Sequence, residues 1–418
     1  MSVPTQESYL VVGGGSGLGE RIVDRLLHRG ETRVSIFDVQ PLATEQTQRF
    51  GPAVRVCVGD VVVPQSIADA VKSCAATCVI HVGTVSSAAS AAARYPSSLT
   101  PPMLQADDEK GYAELREVHR KANTDGMRNL LAAVIESSIT QLVYVGNADI
   151  IFDGHDRPML REDEAPYPNK CVEEGLEQSS QAERMVLSFN GLNELRTAVI
   201  RPALCFGYAL LRSQASELQL HYVSYKPPPQ LAGFKASDNL TDRTYIDNVA
   251  HAAILAADRL APAHPQHAAT AGRAFFITNG EPRPFWDHMH ALWVATTSVT
   301  PPPAPRVAGK GTMMFIARVA DIVGNLRGGK TDAQTKMQFV YANRTYDISL
   351  AREVLGYAPI VSYDEGMRRV AEWWLEQQLK ICKENESGVA PPPYTHDDAA
   401  LVTEKSQVVK RGHKSSDQ

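Results

Sequence analysis

The chain has 418 residues, 44% of them apolar, and a net charge of −5 at pH 7. That charge gives no pull toward nucleic acid, and no apolar run reaches the roughly 20 residues of a membrane span. Six cysteines, at 57, 74, 78, 171, 205 and 382, include no C-x-x-C pair, so a reduced, cytoplasmic setting without a metal centre is expected. The opening MSVPTQESYLVVGGG lacks a basic segment followed by an apolar one, so no signal peptide is expected.

The first two hundred residues alternate between two patterns. YLVV, RVSIF, VRVCV, CVIHV, QLVYV and LRTAVI are short apolar, β-branched runs, as parallel strands buried on both faces should be. Between them, ERIVDRLLHRG places Ile22, Val23, Leu26 and Leu27 on one stripe and ends in Gly30, and TDGMRNLLAAVIESS repeats the pattern with Met127, Leu130, Leu131, Val134 and Ile135. Repeated β-α-β predicts an α/β fold with a doubly wound parallel sheet, a Rossmann domain over 8–205. A run of small residues and prolines, 86–111, interrupts it after the fourth strand, where such a fold has its crevice. It reads equally as a lid and as a surface insertion. Residues 206–382 form a smaller substrate-binding α+β part, with helices over DNVAHAAILAADRL, FWDHMHALWVATT and YDEGMRRVAEWWLEQQLKIC and a strand at AFFIT. The polar, Pro-containing 383–418 reads as a disordered tail. The stripe in GTMMFIARVADIVGNL, 311–326, is expected to pack inside the substrate-binding part, with peripheral contact to a membrane surface, such as the endoplasmic reticulum, left open. An oligomer is also left open.

YLVVGGGSGLGERIVDRLL is strand, glycine-rich turn, helix. Gly13, Gly17 and Gly19 lack the Cβ atoms that would keep backbone N–H groups from a pyrophosphate at a helix N-terminus. Gly14 and Leu18 share the turn. Asp38 ends the second strand, 19 residues after Gly19, where a carboxylate accepts from an adenosine ribose. No Arg follows closely, which favours NAD and leaves NADP open. Asp60 and Val61 after the third strand, Gly83 after the fourth and Pro202 after LRTAVI complete the expected cofactor contacts.

On these residues the chain resembles the extended short-chain dehydrogenases/reductases. FFITNGEPRPFWDHMHALW (275–293), RPALCFG (201–207), DRTYIDNVAHAAILAADRL (242–260) and RTYDISLAREVLGYAPIVSYDEGMRRV (344–370) resemble the 3β-hydroxysteroid dehydrogenase family, and within it the decarboxylating sterol-4α-carboxylate 3-dehydrogenases. The resemblance runs over roughly residues 8–380. It implies a Tyr as acid/base toward a substrate hydroxyl, a Lys one turn later that lowers the Tyr pKa, and a Ser or Thr on the reacting oxygen. None of the three is retained. Asn147 in YVGNADIIFDG stands at the Ser position, Gly175 at the Tyr position and Ser179 at the Lys position. Asn123 matches the family's Asn on the fourth helix, while Ser16 stands where the extended type has a glycine; the glycine spacing is that of the non-extended type. Tyr167 and Lys170 repeat a Y-x-x-K pattern just upstream, but Pro166 and Pro168 keep that stretch from being a helix, and it reads as loop. His81, Asp149, Asp153 and His155 are further acid/base candidates, although a single His there is more often structural and loop carboxylates are usually solvated.

Three readings follow. The family implies an NAD(P)-dependent oxidoreductase on a hydrophobic polycyclic alcohol or ketone, sterol- or terpenoid-like, with a nonstandard proton relay. Loss of the triad also admits non-redox cyclisation or isomerisation on the same fold, or a nucleotide-binding pseudoenzyme acting through a partner.

Overall fold

The computed structural model describes residues 4–83, 117, 120–169, 171, 174–208, 239–297, 310–326 and 333–386. The segment 86–111, Lys170 and residues 387–418 of the expected tail lie outside them. In chain order the strands are β1 (Tyr9–Val12), β2 (Val34–Asp38), β3 (Val54–Val58), β4 (Cys78–Val82), β5 (Gln141–Val145), β6 (Arg157–Leu160), β7 (Arg196–Pro202), β8 (Cys205–Phe206), β9 (Leu240–Thr241), β10 (Thr244–Tyr245), β11 (Arg273–Ile277), β12 (Arg283–Pro284) and β13 (Arg344–Tyr346). The main helices are α1 (Gly17–Arg29), α2 (Thr44–Phe50), α3 (Pro64–Ser73), α4 (Gly126–Glu136), α5 (Glu174–Ser188), α6 (Ile246–Leu260), α7 (Phe285–Thr297), α8 (Lys310–Leu326), α9 (Ala333–Tyr341) and α10 (Tyr363–Glu386).

Each apolar run of the first two hundred residues becomes a strand of one parallel sheet, in the order β11-β7-β5-β4-β1-β2-β3. β1 pairs with β2 on one side and β4 on the other, with Val12 opposite both Phe37 and His81. The order of the strands reverses there, so the crevice opens at the carboxyl end of β1. Alternate residues of each strand serve opposite faces. Tyr9, Val11, Ile80, Val143 and Ile200 meet α1 and α6; Leu10, Val12, Val79, Leu142 and Val199 meet α3, α4 and α5. Full burial of Ile22 and Leu26 on α1 contributes about 1.5–3 kcal/mol each before entropy is counted. Ala250, Ala253 and Ala257 let α6 lie close to α1, and Arg21–Asp247 and Arg29–Asp258 ion pairs clamp the two helices. Gly30 ends α1 at φ +93°, its N–H returning to the Leu26 and Leu27 carbonyls.

The chain leaves this layer after β7 and returns to it with α6 and β11. A division at 205 separates β11 from the sheet it completes, because Phe275–Ile277 pair with Ile200–Pro202. The remaining strands make a small sheet, β12-β9-β13-β6, and the pair β10-β8. α10 continues to Glu386, past the expected start of the tail at 383. α8 departs from expectation more clearly. Its Phe315, Ile316, Val319, Ile322, Val323 and Leu326 are exposed, Phe315 by 67% and Leu326 by 82%, so this stripe is not packed inside the substrate-binding part.

Candidate active site

Parallel strands place all their carboxyl ends on one edge of the sheet. That edge gathers Gly13 after β1, Asp38 at the end of β2, Asp60 after β3, Gly83 after β4, Asn147 after β5 and Pro202 at the end of β7. Gly13 sits at φ +81°, a region that favours glycine. A Cβ on Gly19 would collide with the Gly13 carbonyl, and one on Gly14 would lie 2.8 Å from Ile36 Cγ1. These two glycines let α1 pack against β1 and β2, while Gly17 and Leu18 open the helix. Ser16 is the helix N-cap: its Oγ donates to Gly13 O at 2.7 Å and accepts from Gly19 N–H at 3.2 Å. The hydroxyl thus holds the turn at the position where the extended type has glycine.

Asp38 Oδ2 accepts from Gly15 N–H at 2.9 Å, which aims the carboxylate along the turn. A glycine cradle beside such a carboxylate fits an adenosine diphosphate moiety. Gln46 on α2 pins the turn from outside, donating to Gly15 O at 3.0 Å and to Glu20 Oε2 at 2.9 Å. Asp60 Oδ1 accepts from Val62 N–H at 2.9 Å; Val61 packs on Gly126, and Asn129 Nδ2 donates to the Val61 and Val62 carbonyls. Ser16, Gln46 and Asn129 as supports were missed in the sequence. Only Ser16 carried a signal, that of a hydroxyl preceding an apolar helical run. Gly83 donates to Val145 O, and a Cβ there would lie 2.8 Å from Tyr144 Oη. His81 is buried against Tyr144, ring centroids 5.6 Å apart.

The positions that the resemblance assigns to the triad lie on α5 and in the turn after β5. α5 begins at Glu174, so Gly175 is in its first turn. Ser179 Oγ donates to Gly175 O at 3.1 Å. Asn147 caps the short 3₁₀ turn Ala148–Ile151, its Oδ1 accepting from Asp149 N–H at 2.8 Å. Among the described residues its Nδ2 has no acceptor, which suits it to a ligand oxygen. Asn123 is buried in a π-helical turn, Lys121–Asp125, that leads into α4 beside α5.

Tyr167 is tied down elsewhere. Its hydroxyl donates to Glu183 Oε1 at 2.6 Å, and Arg201 reaches the same oxygen through Nε at 3.0 Å and Nη2 at 2.5 Å. The ring lies between the Arg184 and Arg201 guanidiniums, 4.3 and 5.4 Å from its centroid. Burial first, then Glu183, push its pKa far above the usual phenol range, against a role as a proton relay. Asp149 is also engaged, accepting from Arg344 Nη1 at 2.7 Å. Asp153 pairs with Arg157, and His155 is solvent-exposed. Among the described residues no group of three or more His, Cys, Asp or Glu is placed to hold a metal, and no helix is long and apolar enough to cross a membrane.

The model of the 3-beta hydroxysteroid dehydrogenase/isomerase family matches residues 10–95 and 106–301. The chain is 33% identical over 265 residues to the decarboxylating sterol-4-alpha-carboxylate 3-dehydrogenase of Schizosaccharomyces pombe, covering 62% of this chain and 73% of that one. It is 27% identical over 372 residues to the enzyme of the same name from Mus musculus, covering 87% of this chain and 89% of that one. Among solved structures, UDP-glucose 4-epimerase of Thermotoga maritima superposes with a TM-score of 0.61 at 16% identity, over 88% of this chain and 99% of that one. A dTDP-glucose 4,6-dehydratase of Streptomyces venezuelae, solved with NAD bound, gives 0.61 at 13%, over 89% and 98%. These two likenesses speak to the fold alone.

Proposed function

Because the chain belongs to the 3-beta hydroxysteroid dehydrogenase/isomerase family, we propose that it is an NAD-dependent oxidoreductase acting on a hydrophobic polycyclic alcohol or ketone, sterol- or terpenoid-like, through a proton relay other than the family's Tyr and Lys. The observation that carries this reading is the intact carboxyl edge: a glycine cradle, a capped helix N-terminus and Asp38 held 2.9 Å from Gly15 N. NAD at this edge supplies the hydride acceptor. The backbone N–H groups of Gly13–Gly19 receive its pyrophosphate and Asp38 its ribose hydroxyls. Asp60, Val61, Gly83 and Pro202 line the same edge. Asn147 Nδ2 donates to the reacting oxygen and polarises it. Gly175 and Ser179 contribute no proton, so that step falls to a group outside the family's triad.

The lack of an acid/base side chain at Gly175 and of an ammonium at Ser179 also supports a second reading, non-redox cyclisation or isomerisation of the same class of compound. NAD binding by calorimetry, followed by NADH formation with a panel of 3β-hydroxysteroids and triterpenoid alcohols, separates them. Binding with turnover of any member supports the first reading, and binding without turnover by any member supports the second. Absence of binding removes both.

The exposed face of α8 supports peripheral contact with a bilayer surface, with Phe315, Ile316, Val319, Ile322 and Leu326 entering the headgroup boundary. Co-sedimentation with phosphatidylcholine vesicles tests it: the native chain should pellet with them and F315E/L326E should not. Equal behaviour of the two rejects the contact.

A further inference from the structure

The sulfurs of Cys57 and Cys74 stand 3.6 Å apart, in direct contact. Cys57 is half-buried on β3, the edge strand of the large sheet, between the exposed Val56 and Val58. Cys74 caps the end of α3 and is buried, its N–H donating to Ala70 O at 3.0 Å. Arg55, two residues before Cys57, donates through Nη1 to the Ser73 carbonyl, so strand and helix end are tied together beside the two thiols. Other cysteines of the chain are placed differently. Cys78 is fully buried, and Cys171 Sγ donates to Ile150 O at 3.3 Å.

An outer thiol that meets solvent, touching an inner one, is the arrangement of an attacking and a resolving cysteine. Burial first, then Cys74, raises the Cys57 pKa, so the thiol is not ionised in advance and the first attack is slow. The second step joins groups already in contact and needs no encounter. In a reducing setting such a pair rests as thiols, and a disulfide between them is a transient one.

Closure draws the sulfurs from 3.6 Å to about 2 Å. α3 packs on α4, whereas β3 pairs with β2 alone, so the strand takes up most of the shift. Cys57 lies opposite Phe37 in that pairing. Two residues on, Gly59 N–H donates to Asp38 O at 2.9 Å, and a Cβ on Gly59 would collide with Ser66 Oγ, so this corner has no slack. Asp38 and Asp60, the carboxylates at the adenosine end of the proposed cofactor site, sit on either side of that link.

We propose that Cys57 and Cys74 are a redox-sensing pair: a small-molecule disulfide converts them to a protein disulfide that staples β3 to α3 and weakens the adenosine end of the cofactor site. The Cys57 thiolate, its proton released to water, attacks one sulfur of the oxidant, whose S–S bond breaks and expels a thiolate. The Cys74 thiolate then attacks Cys57 Sγ, the bond to the remaining half of the oxidant breaks, and a second thiolate leaves. Two protein thiols lose two electrons, and the oxidant becomes two thiols. A dithiol runs the exchange in reverse. The effect on the cofactor rests on the reading of the carboxyl edge as an NAD site; the disulfide itself does not.

The test incubates the whole native chain, C57S and C74S with oxidised glutathione. Trypsin separates Cys57, in 56–72, from Cys74, in 73–94. The native map should show the two peptides joined, with fragmentation placing the bond on Cys74 rather than Cys78. C74S should instead carry glutathione on Cys57, and C57S should stay unmodified at Cys74. No link in the native chain, or one through Cys78, overturns the pair, and the native map decides this even where a variant folds poorly. NAD calorimetry on the native chain reads the consequence. The oxidised form should bind about fivefold more weakly, the worth of one neutral hydrogen bond, and dithiothreitol should restore the affinity. Equal or tighter binding by the oxidised form overturns the coupling. If the reduced chain binds no NAD, the cofactor reading fails, and the peptide map alone upholds or overturns the pair.

Discussion

Ser179 Oγ donates to the Gly175 carbonyl oxygen at 3.1 Å, one turn back along α5. The two positions that the resemblance assigns to the acid/base and its ammonium are thus the two ends of one helical hydrogen bond. A glycine moves no proton, and a neutral hydroxyl does not lower a neighbouring Tyr pKa. Among the described residues nothing accepts from the Asn147 amide, so an oxygen can be held and polarised without its proton partner. Oxidation of simple 3β-hydroxysteroids should therefore be very slow in the native chain. G175Y/S179K should raise it, and adding N147S should raise it further, by tenfold or less since the surrounding shell is not built for that pair (~1.4 kcal/mol). The measurement is NADH formation. A native rate matching the triple variant would mean that another residue carries the proton.

The cofactor turn yields a second prediction. The Cβ of G19A would meet backbone at Gly13, so that variant should fold poorly. G17V adds a side chain at the first helical position of the turn and should lose NAD in calorimetry. D38A should weaken NAD more than NADP, since only the former needs the ribose acceptor. The reverse order would mean the cofactor preference is NADP.

Much of this was legible in the sequence, and the limits have a physical cause. β1–β5 and β7 announced themselves because strands buried on both faces must be continuously apolar. The glycine turn was legible because its steric demand is local. Partners distant in sequence were not. Asp149 looked like a free loop carboxylate until Arg344, 195 residues on, was seen to hold it. AFFIT read as a strand, but nothing local says that it completes the sheet beside β7. The stripe of α8 has the same periodicity whether it packs inward or faces out, and burial alone separates the two.

Tyr167 supplies a third prediction. With its hydroxyl on Glu183 and its ring between Arg184 and Arg201, it is a structural residue. Y167F should leave turnover within about twofold and cost about 1 kcal/mol of stability, the worth of one hydrogen bond. R201M alone should cost about 3–5 kcal/mol, because it leaves the buried Glu183 carboxylate unpaired, while R201M/E183M should recover most of that. Urea denaturation of the four variants, E183M included, closes the cycle. A collapse of turnover in Y167F with unchanged stability would return Tyr167 to the proton relay.

Asp242 gives a dependence on pH. Burial raises its carboxyl to about 6, although Oδ2 accepts from Tyr346 N–H at 2.8 Å. In the unfolded chain the same group titrates near 3.9. The folded state therefore holds the proton more tightly, and the associated stability is fully present below about pH 4. It is lost as pH rises toward 6 and stays lost above, at a cost on the order of 2–3 kcal/mol. D242N keeps an oxygen for the Tyr346 N–H and never ionises. Its melting temperature should equal that of the native chain near pH 4 and exceed it by several degrees from pH 6.5 upward, with the gap opening between those values. Thermal unfolding across that range is the measurement, with other titrations cancelling in the difference. A constant gap at all pH values would mean that Asp242 stays ionised throughout.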